Sequence, residues 1–286
     1  MVYESIAATM AQNYDRYLGP LFFYPYADDL VARVPVRPGI RVLEIACGTG
    51  IVTARLWNQL RGQGSLVATD LNESMLAYAQ TQVPAAPGLE WRQVDATKLP
   101  FPDLIFDAVV CEFGLMFFPD KAASAAEAFR VLHPGGCWLF NVWDALERNR
   151  IGALANETVA AFFPTDPPGF FRAPFAYHDP TTITTLLERA GFETIHWEYV
   201  EKIGTSLSAT DAATGLIDGA PIGAEIIARR ADAVPEIKMA LADRVAAEFG
   251  DPPARIPLRA LVFSASRPDD RYHETHRSPH PRVASD

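Results

Sequence analysis

Residues 41–50 read RVLEIACGTG, a short apolar run carrying one acid and ending in two glycines one residue apart. A β-rich run that turns on glycines and continues as IVTARLWNQL (51–60), which has helical spacing, is a strand–turn–helix unit. Three nucleotide-binding folds place glycines after a first strand. A P-loop needs a lysine after its last glycine, and none follows here. A dinucleotide fingerprint needs a third glycine at position 53, where this chain has Thr53, although its acid about 20 residues on is met by Asp70. Alone, the glycine pair reads as a tight turn.

Working outward, the alternation continues with little waste. SLVATDL (65–71) reads as a strand and NESMLAYAQTQ (72–82) as a helix capped by Asn72. LEWRQVDA (89–96) and FDAVVCEF (106–113) read as strands, and AASAAEAFRVL (122–132) as a helix closed by His133-Pro134-Gly135-Gly136. GCWLFNVW (136–143) is a fifth strand. Strands alternating with helices at this pitch predict a parallel sheet with helices on both faces. Acids recur at the carboxyl ends of these strands: Asp70, placed to take ribose hydroxyls, Asp95, placed to accept from an adenine amine, and Glu112. Open α/β sheets bind ligands at those ends. Glu44 stands inside the first strand, where a buried acid costs several kcal/mol unless it holds backbone or a cationic group.

At this point the chain resembles the class I S-adenosylmethionine-dependent methyltransferases. The residues that carry the resemblance are VLEIACGTG (42–50), ATDLNESML (68–76), QVDATKLPF (93–101), FDAVVCEFGLMFFPD (106–120) and RVLHPGGCWLFNVWD (130–144). They span about a third of the chain, and their look is similar to the small-molecule branch of ubiquinone and menaquinone biosynthesis methyltransferases. The resemblance implies a doubly wound, seven-stranded Rossmann-like α/β sheet, its last strand antiparallel, with a helical and aromatic cap. It implies S-adenosylmethionine as cofactor, S-adenosylhomocysteine as product, and no metal. Ala46, Cys47, Gly48 and Gly50 would approach the aminoacyl part, and Glu44 would hold the loop and the amino group. Asp70 would take the ribose, Leu71 and Met75 the adenine face, and Asp95 with Ala96 the adenine edge. Glu112 and Phe113 would border the methyl group, and Tyr17 would reach the cofactor from the amino-terminal lid. Glu112-Phe113-Gly114 departs from the Asn-Pro-Pro-Tyr signature of amino-methylating DNA and protein-glutamine enzymes, which argues against those acceptors.

Around this core the expected organisation is amino-terminal lid helices over 1–36, the cofactor core over 37–144 and a cap insertion over 145–180. A core helix and strand follow over 181–203, then a second cap insertion over 204–256, a final strand over 257–267 and a polar, disordered tail over 268–286. Tyr14 and Tyr24 in the lid, Phe117 after the fourth strand, and Phe171, Phe175 and Tyr177 in the Pro- and aromatic-rich cap are the candidate acceptor lining. His178 is the candidate base, with a loop histidine before Asp179-Pro180 as the plainer reading; His133 and His196 read as structural. His273, His276 and His280 lack metal-site spacing.

Composition narrows the partners. The 286 residues carry 25 Lys and Arg against 35 Asp and Glu, a formal charge of −10, with no basic stripe, which argues against nucleic acid. Cys47, Cys111 and Cys137 form no CxxC pair, as suits a reducing cytoplasm. No apolar run approaches the ~18 residues of a membrane span, and the first residues do not read as a signal peptide. The expectation is a cytoplasmic monomer or homodimer that methylates a small apolar or aromatic metabolite at O, N or C. The alternatives are a catalytically silent protein that binds the same cofactor, and a dinucleotide oxidoreductase.

Overall fold

The computed structural model describes residues 9–60 and 62–269, so the expectation for the tail beyond 269, with its three histidines, lies outside the described residues. In chain order, a π-helix, Tyr14–Phe23, leads into α1 (Tyr24–Ala32), β1 (Ile40–Ile45), α2 (Ile51–Leu60), β2 (Gly64–Asp70), α3 (Glu73–Gln82) and β3 (Leu89–Gln93). Then come β4 (Phe106–Glu112), α4 (Lys121–Val131), β5 (Leu132–Trp143), α5 (Arg150–Ala161), a 3-10 segment (Phe170–Phe175) and α6 (Pro180–Ala190). The chain closes with β6 (Glu193–Ser206), α7 (Ala209–Asp218), α8 (Ile222–Arg230), α9 (Val234–Phe249) and β7 (Ala254–Ser266).

The strands form one sheet in the order β3-β2-β1-β4-β5-β7-β6. The first five are parallel, and β7 lies antiparallel between β5 and β6. This is the doubly wound, seven-stranded sheet that the sequence predicts. Apart from Arg41, every residue of β1 is buried, as a central strand covered on both faces requires. The chain leaves β1 toward β2 on one side, while β4 and β5 lie on the other. The crevice between the carboxyl ends of β1 and β4 is therefore the switch point at which such sheets bind ligands.

Local signals place the helices as read. Asn72 accepts from the Ser74 and Met75 amides ahead of α3. Asp179 caps α6 with Pro180 in its first turn, and Gly191 ends it in the left-handed region.

Three details depart from the sequence reading. His133-Pro134-Gly135-Gly136 does not close α4 ahead of the strand but loops out of β5 itself. Phe106 pairs with Leu132 and Ala108 already with Cys137, leaving four residues opposite one. The last strand begins at Ala254 rather than 257. Its start is hidden by Pro257, tolerated because this half of β7 pairs with β6 alone and has a free edge. The lid segment winds as a π-helix around Pro20, whose missing N–H and ring do not fit a regular α-helix interior. It docks on β6 at Gly204, where a Cβ would stand 1.8 Å from the Leu21 carbonyl oxygen. Gly204 is thus what admits the lid to the sheet.

Two further ties close the molecule around the lid. Tyr26 of α1, fully buried, donates to the Val200 carbonyl of β6 at 3.0 Å. Beyond the sheet, Arg244 of α9 reaches Glu157 and Thr158 of α5 at 2.6 and 2.8 Å, so the helices following β5 and β6 pack as one layer.

Candidate active site

The glycine turn is built by Asp70. Its Oδ2 accepts from the Gly48 amide and its Oδ1 from the Asn72 amide, both at 2.8 Å, so one side chain shapes the turns after β1 and β2. Ala46, Gly48 and Gly50 all have positive φ, at 57°, 56° and 86°. Only at the glycines does this come without side-chain strain. The turn leaves a narrow cleft of about 20 Å³ between the ends of β1 and β4 and the lid, bordered by Glu44, Ala46, Cys47, Gly48, Glu112, Tyr14 and Phe23.

The cleft is acidic and dry. Glu44 is 1% exposed, its Oε2 has no partner, and burial pushes its carboxyl up to about 8, against the lowering effect of Thr53 beside it. Glu112 is partly buried; its Oε1 is shielded from solvent, lacks a partner, and is pushed well up by desolvation and then by the charge of Glu44. Burial also raises Asp70, and its backbone hydrogen bonds oppose that. The lid contributes Asp15, which accepts from Tyr78 at 3.2 Å and Thr49 at 3.5 Å and so spans the cleft. Arg55 is the cation whose charge reaches Glu112, but it pairs with Asp28 at 2.5 Å and lies over the Tyr24 ring.

Beside the cleft lies a second cavity, of about 110 Å³. Tyr14, stacked on Phe23 with centroids 4.7 Å apart, belongs to the walls of both. Phe22, Phe113, Phe117, Trp143, Phe170, Phe171 and Phe175 complete the aromatic part of the chamber, and no acid, amine or histidine borders it among the described residues. Phe113 takes φ +48° with its amide held by Asn141 Oδ1 at 2.8 Å.

The structure thus brings together Glu44, Ala46, Cys47, Gly48 and Glu112 at the cleft, with Asp70 behind the turn. It brings Tyr14, Phe113, Phe117, Phe171 and Phe175 to the chamber. Gly50 stands at the end of the turn, its amide on the Cys47 carbonyl. Leu71 (65% exposed), half-buried Met75, Ala96 and the exposed Asp95 lie along the ends of β2 and β3, outside the cleft walls. The Asp95 carboxylate accepts from the Thr97 amide and hydroxyl.

Four further predicted residues lie away from the cleft, the chamber and the ends of β2 and β3 alike. Tyr17 borders an outer groove with Pro20 and Ser206. Tyr24 lies under Arg55, and Tyr177 faces Lys121 beside a surface recess on α4 and α6. His178 is spent on the Phe175 carbonyl through Nδ1 at 2.8 Å. The sequence reading missed Phe23 and Trp143. Trp143 carried a signal, being the last residue of β5 and so level with the other strand ends.

Among the described residues, no group of three or more His, Cys, Asp or Glu side chains could hold a metal ion, and no helix is long and apolar enough to cross a membrane.

A family profile described as a methyltransferase domain matches residues 42–136. The ubiquinone/menaquinone biosynthesis C-methyltransferase UbiE of Stenotrophomonas maltophilia is 41% identical over 109 residues, covering 37% of this chain and 43% of the relative. The chain thus matches less than half the length of that relative. A demethylmenaquinone methyltransferase of Lactiplantibacillus plantarum is 29% identical over 216 residues, covering 68% of this chain and 89% of that one. Among solved structures, phosphoethanolamine N-methyltransferase 2 of Haemonchus contortus, in complex with phosphomonomethylethanolamine and S-adenosylhomocysteine, superposes with a TM-score of 0.58 at 16% identity, over 90% of this chain and 57% of that one. Residues 42–136 are a methyltransferase domain, carried on the class I methyltransferase fold.

Proposed function

We propose that the chain transfers a methyl group from S-adenosylmethionine to a small apolar or aromatic acceptor held in the aromatic chamber. The observation that carries this reading is that the acidic glycine cleft and the chamber share one wall, Tyr14 and Phe23. A donor in one space and an acceptor in the other meet there. The cleft fits a cationic cofactor on its own chemistry, because two buried carboxyl oxygens, on Glu44 and Glu112, lack any partner. The bound cofactor would supply a methyl group already activated on a sulfonium.

The chain's own work is then binding, alignment and exclusion of water. Gly48 and Gly50 let the backbone approach the aminoacyl part, and Asp70, already committed to the turn, takes the ribose. Leu71, Met75, Asp95 and Ala96 flank the adenine. The described part of the lid, residues 9–36, and the cap segments over 145–180 and 204–256 close the chamber. With no basic side chain in its walls, the chamber suits an acceptor that is electron-rich or already ionised; His178, hydrogen-bonded through Nδ1 to the Phe175 carbonyl, stands outside those walls. The quinone-ring names of the relatives agree with a flat aromatic acceptor.

Titration calorimetry with S-adenosylhomocysteine and NAD tests the donor half: micromolar binding of the first and none of the second is expected, and the reverse overturns it. A radiolabelled methyl-transfer screen over phenols, quinols, amines and fatty acids tests the acceptor half. Cofactor binding with every acceptor inert would favour a silent binding protein instead.

A further inference from the structure

The cleft holds one carboxyl more than its glycine turn needs. Asp70 holds the Gly48 and Asn72 amides and, on the donor reading, the ribose. Glu44, deep in β1, faces the turn from below. Glu112 is different: it ends β4 immediately before Phe113, a chamber residue, and shares the cleft wall with Tyr14 and Phe23, which also border the chamber. Its Oε1 meets neither solvent nor a hydrogen-bond partner. Among the described residues no Lys or Arg borders the cleft, and Arg55 is occupied by Asp28, the Ile51 carbonyl and the Tyr24 ring. A shielded carboxyl of this kind is costly to ionise until a cation arrives beside it.

Resting on the donor reading above, we propose that Glu112 makes the cleft discriminate by charge: it pairs with the cationic centre at the donor's reactive end and so favours the sulfonium over the neutral thioether product. The placement follows from the two spaces. The reactive methyl has to point at the chamber, so the atom bearing it stands at the shared wall where Glu112 ends β4. The amino group common to donor and product belongs to the deeper Glu44. Transfer of the methyl group leaves the sulfur neutral, and Glu112 then loses its counter-ion. The same residue that admits the donor thereby weakens the hold on the product.

The test is binding rather than turnover. Calorimetry compares S-adenosylmethionine, S-adenosylhomocysteine and sinefungin, which carries an ammonium in place of the sulfonium, on the wild-type chain, Glu112→Gln and Glu44→Gln. Wild type is expected to bind both dicationic ligands at least tenfold more tightly than the thioether. Glu112→Gln should lose about tenfold for those two and stay within twofold for the thioether, whereas Glu44→Gln should weaken all three alike. Equal losses for all three in Glu112→Gln, or no loss, overturn the proposal. A wild type that binds none of the three overturns the donor reading instead. Thermal melts of the variants, and a Glu112→Ala repeat, separate misfolding from a selective loss.

Discussion

Phe113 and Trp143 lie face to face, ring centroids 3.8 Å apart and 7° from parallel, and join the residue just after β4 to the last of β5 in one wall of the aromatic chamber. Trp143 also meets Phe22 and Tyr26 of the amino-terminal segment edge-on, at 5.6 and 5.3 Å. Removing the indole therefore unseats the lid as well as the chamber. Trp143→Ala is expected to cost about 3–5 kcal/mol, as large aromatic truncations do. In the same variant the KM for an acceptor found by the screen should rise, with S-adenosylhomocysteine affinity held within a few fold. Chemical denaturation and calorimetry check the two halves, and an unchanged stability would contradict the wall assignment.

Asn141 holds the strained Phe113 in place: it is fully buried and its Oδ1 takes the Phe113 amide. Asn141→Ala leaves that amide unsatisfied and should cost about 1–3 kcal/mol in a urea melt. Because Phe113 is then free to leave φ +48°, fluorescence of the stacked Trp143 should change in the folded state. A variant with native stability and native fluorescence would show that other contacts set this turn.

Asp70→Ala should weaken S-adenosylhomocysteine at least tenfold, since it removes a charge-assisted acceptor from the ligand and also the anchor of the Gly48 turn. Unchanged affinity in calorimetry would remove the ribose assignment.

Glu44 carries a pH signature with a definite sign. Its carboxyl stands at about 8 in the folded chain against an ordinary 4.5. Between those values the unfolded chain gives up this proton and the folded chain keeps it. The folded state then binds more protons, so stability falls as pH rises through that window and levels off above it. At about 1.4 kcal/mol per unit the total is about 5 kcal/mol. Glu44→Gln should abolish that slope, so the difference in Tm between variant and wild type grows from pH 5 to pH 8. Parallel melting curves across that range would contradict it.

Asp15 reaches from the π-helix to Thr49 of the glycine turn and Tyr78 of α3. In Asp15→Ala two contacts holding the lid disappear, each worth about 1 kcal/mol. Stopped-flow binding of S-adenosylhomocysteine should show association and dissociation both faster by several-fold. Rates that match the wild type would mean that the lid opens without breaking these bonds.

What could be read in the sequence was local. The strand–glycine–helix unit at 41–60, the Asn72 cap and the alternating strands depend on neighbours a few residues away, and each stands in the structure. The chamber was legible only in part, because Phe23 and Trp143, more than a hundred residues apart, reach it only by tertiary packing. The tyrosines of the lid show why periodicity failed there. On an α-helix Tyr14 and Tyr17 would share a face. In a π-helix, bonded five residues apart, three steps turn the chain less far round, and Tyr17 leaves the cleft that Tyr14 keeps. Strand β7 was read short because Pro257 reads as a strand breaker unless its free edge is known.

The position of β7 has a consequence for how the chain is made. Of the described strands it is the last to be made, yet it lies between two earlier ones, pairing with β5 and β6 along seven and twelve residue pairs. Until it arrives, β6 has no neighbouring strand, and Trp197, Tyr199 and Ile203 stand on an unzipped ribbon. The half-molecule through β5 can assemble during synthesis, but joining β6 to it waits for the final strand, a long-range closure of the kind that slows folding. A nascent chain halted before Ala254 would therefore expose a sticky ribbon to chaperones, whereas one released after Ser266 would close in a single step.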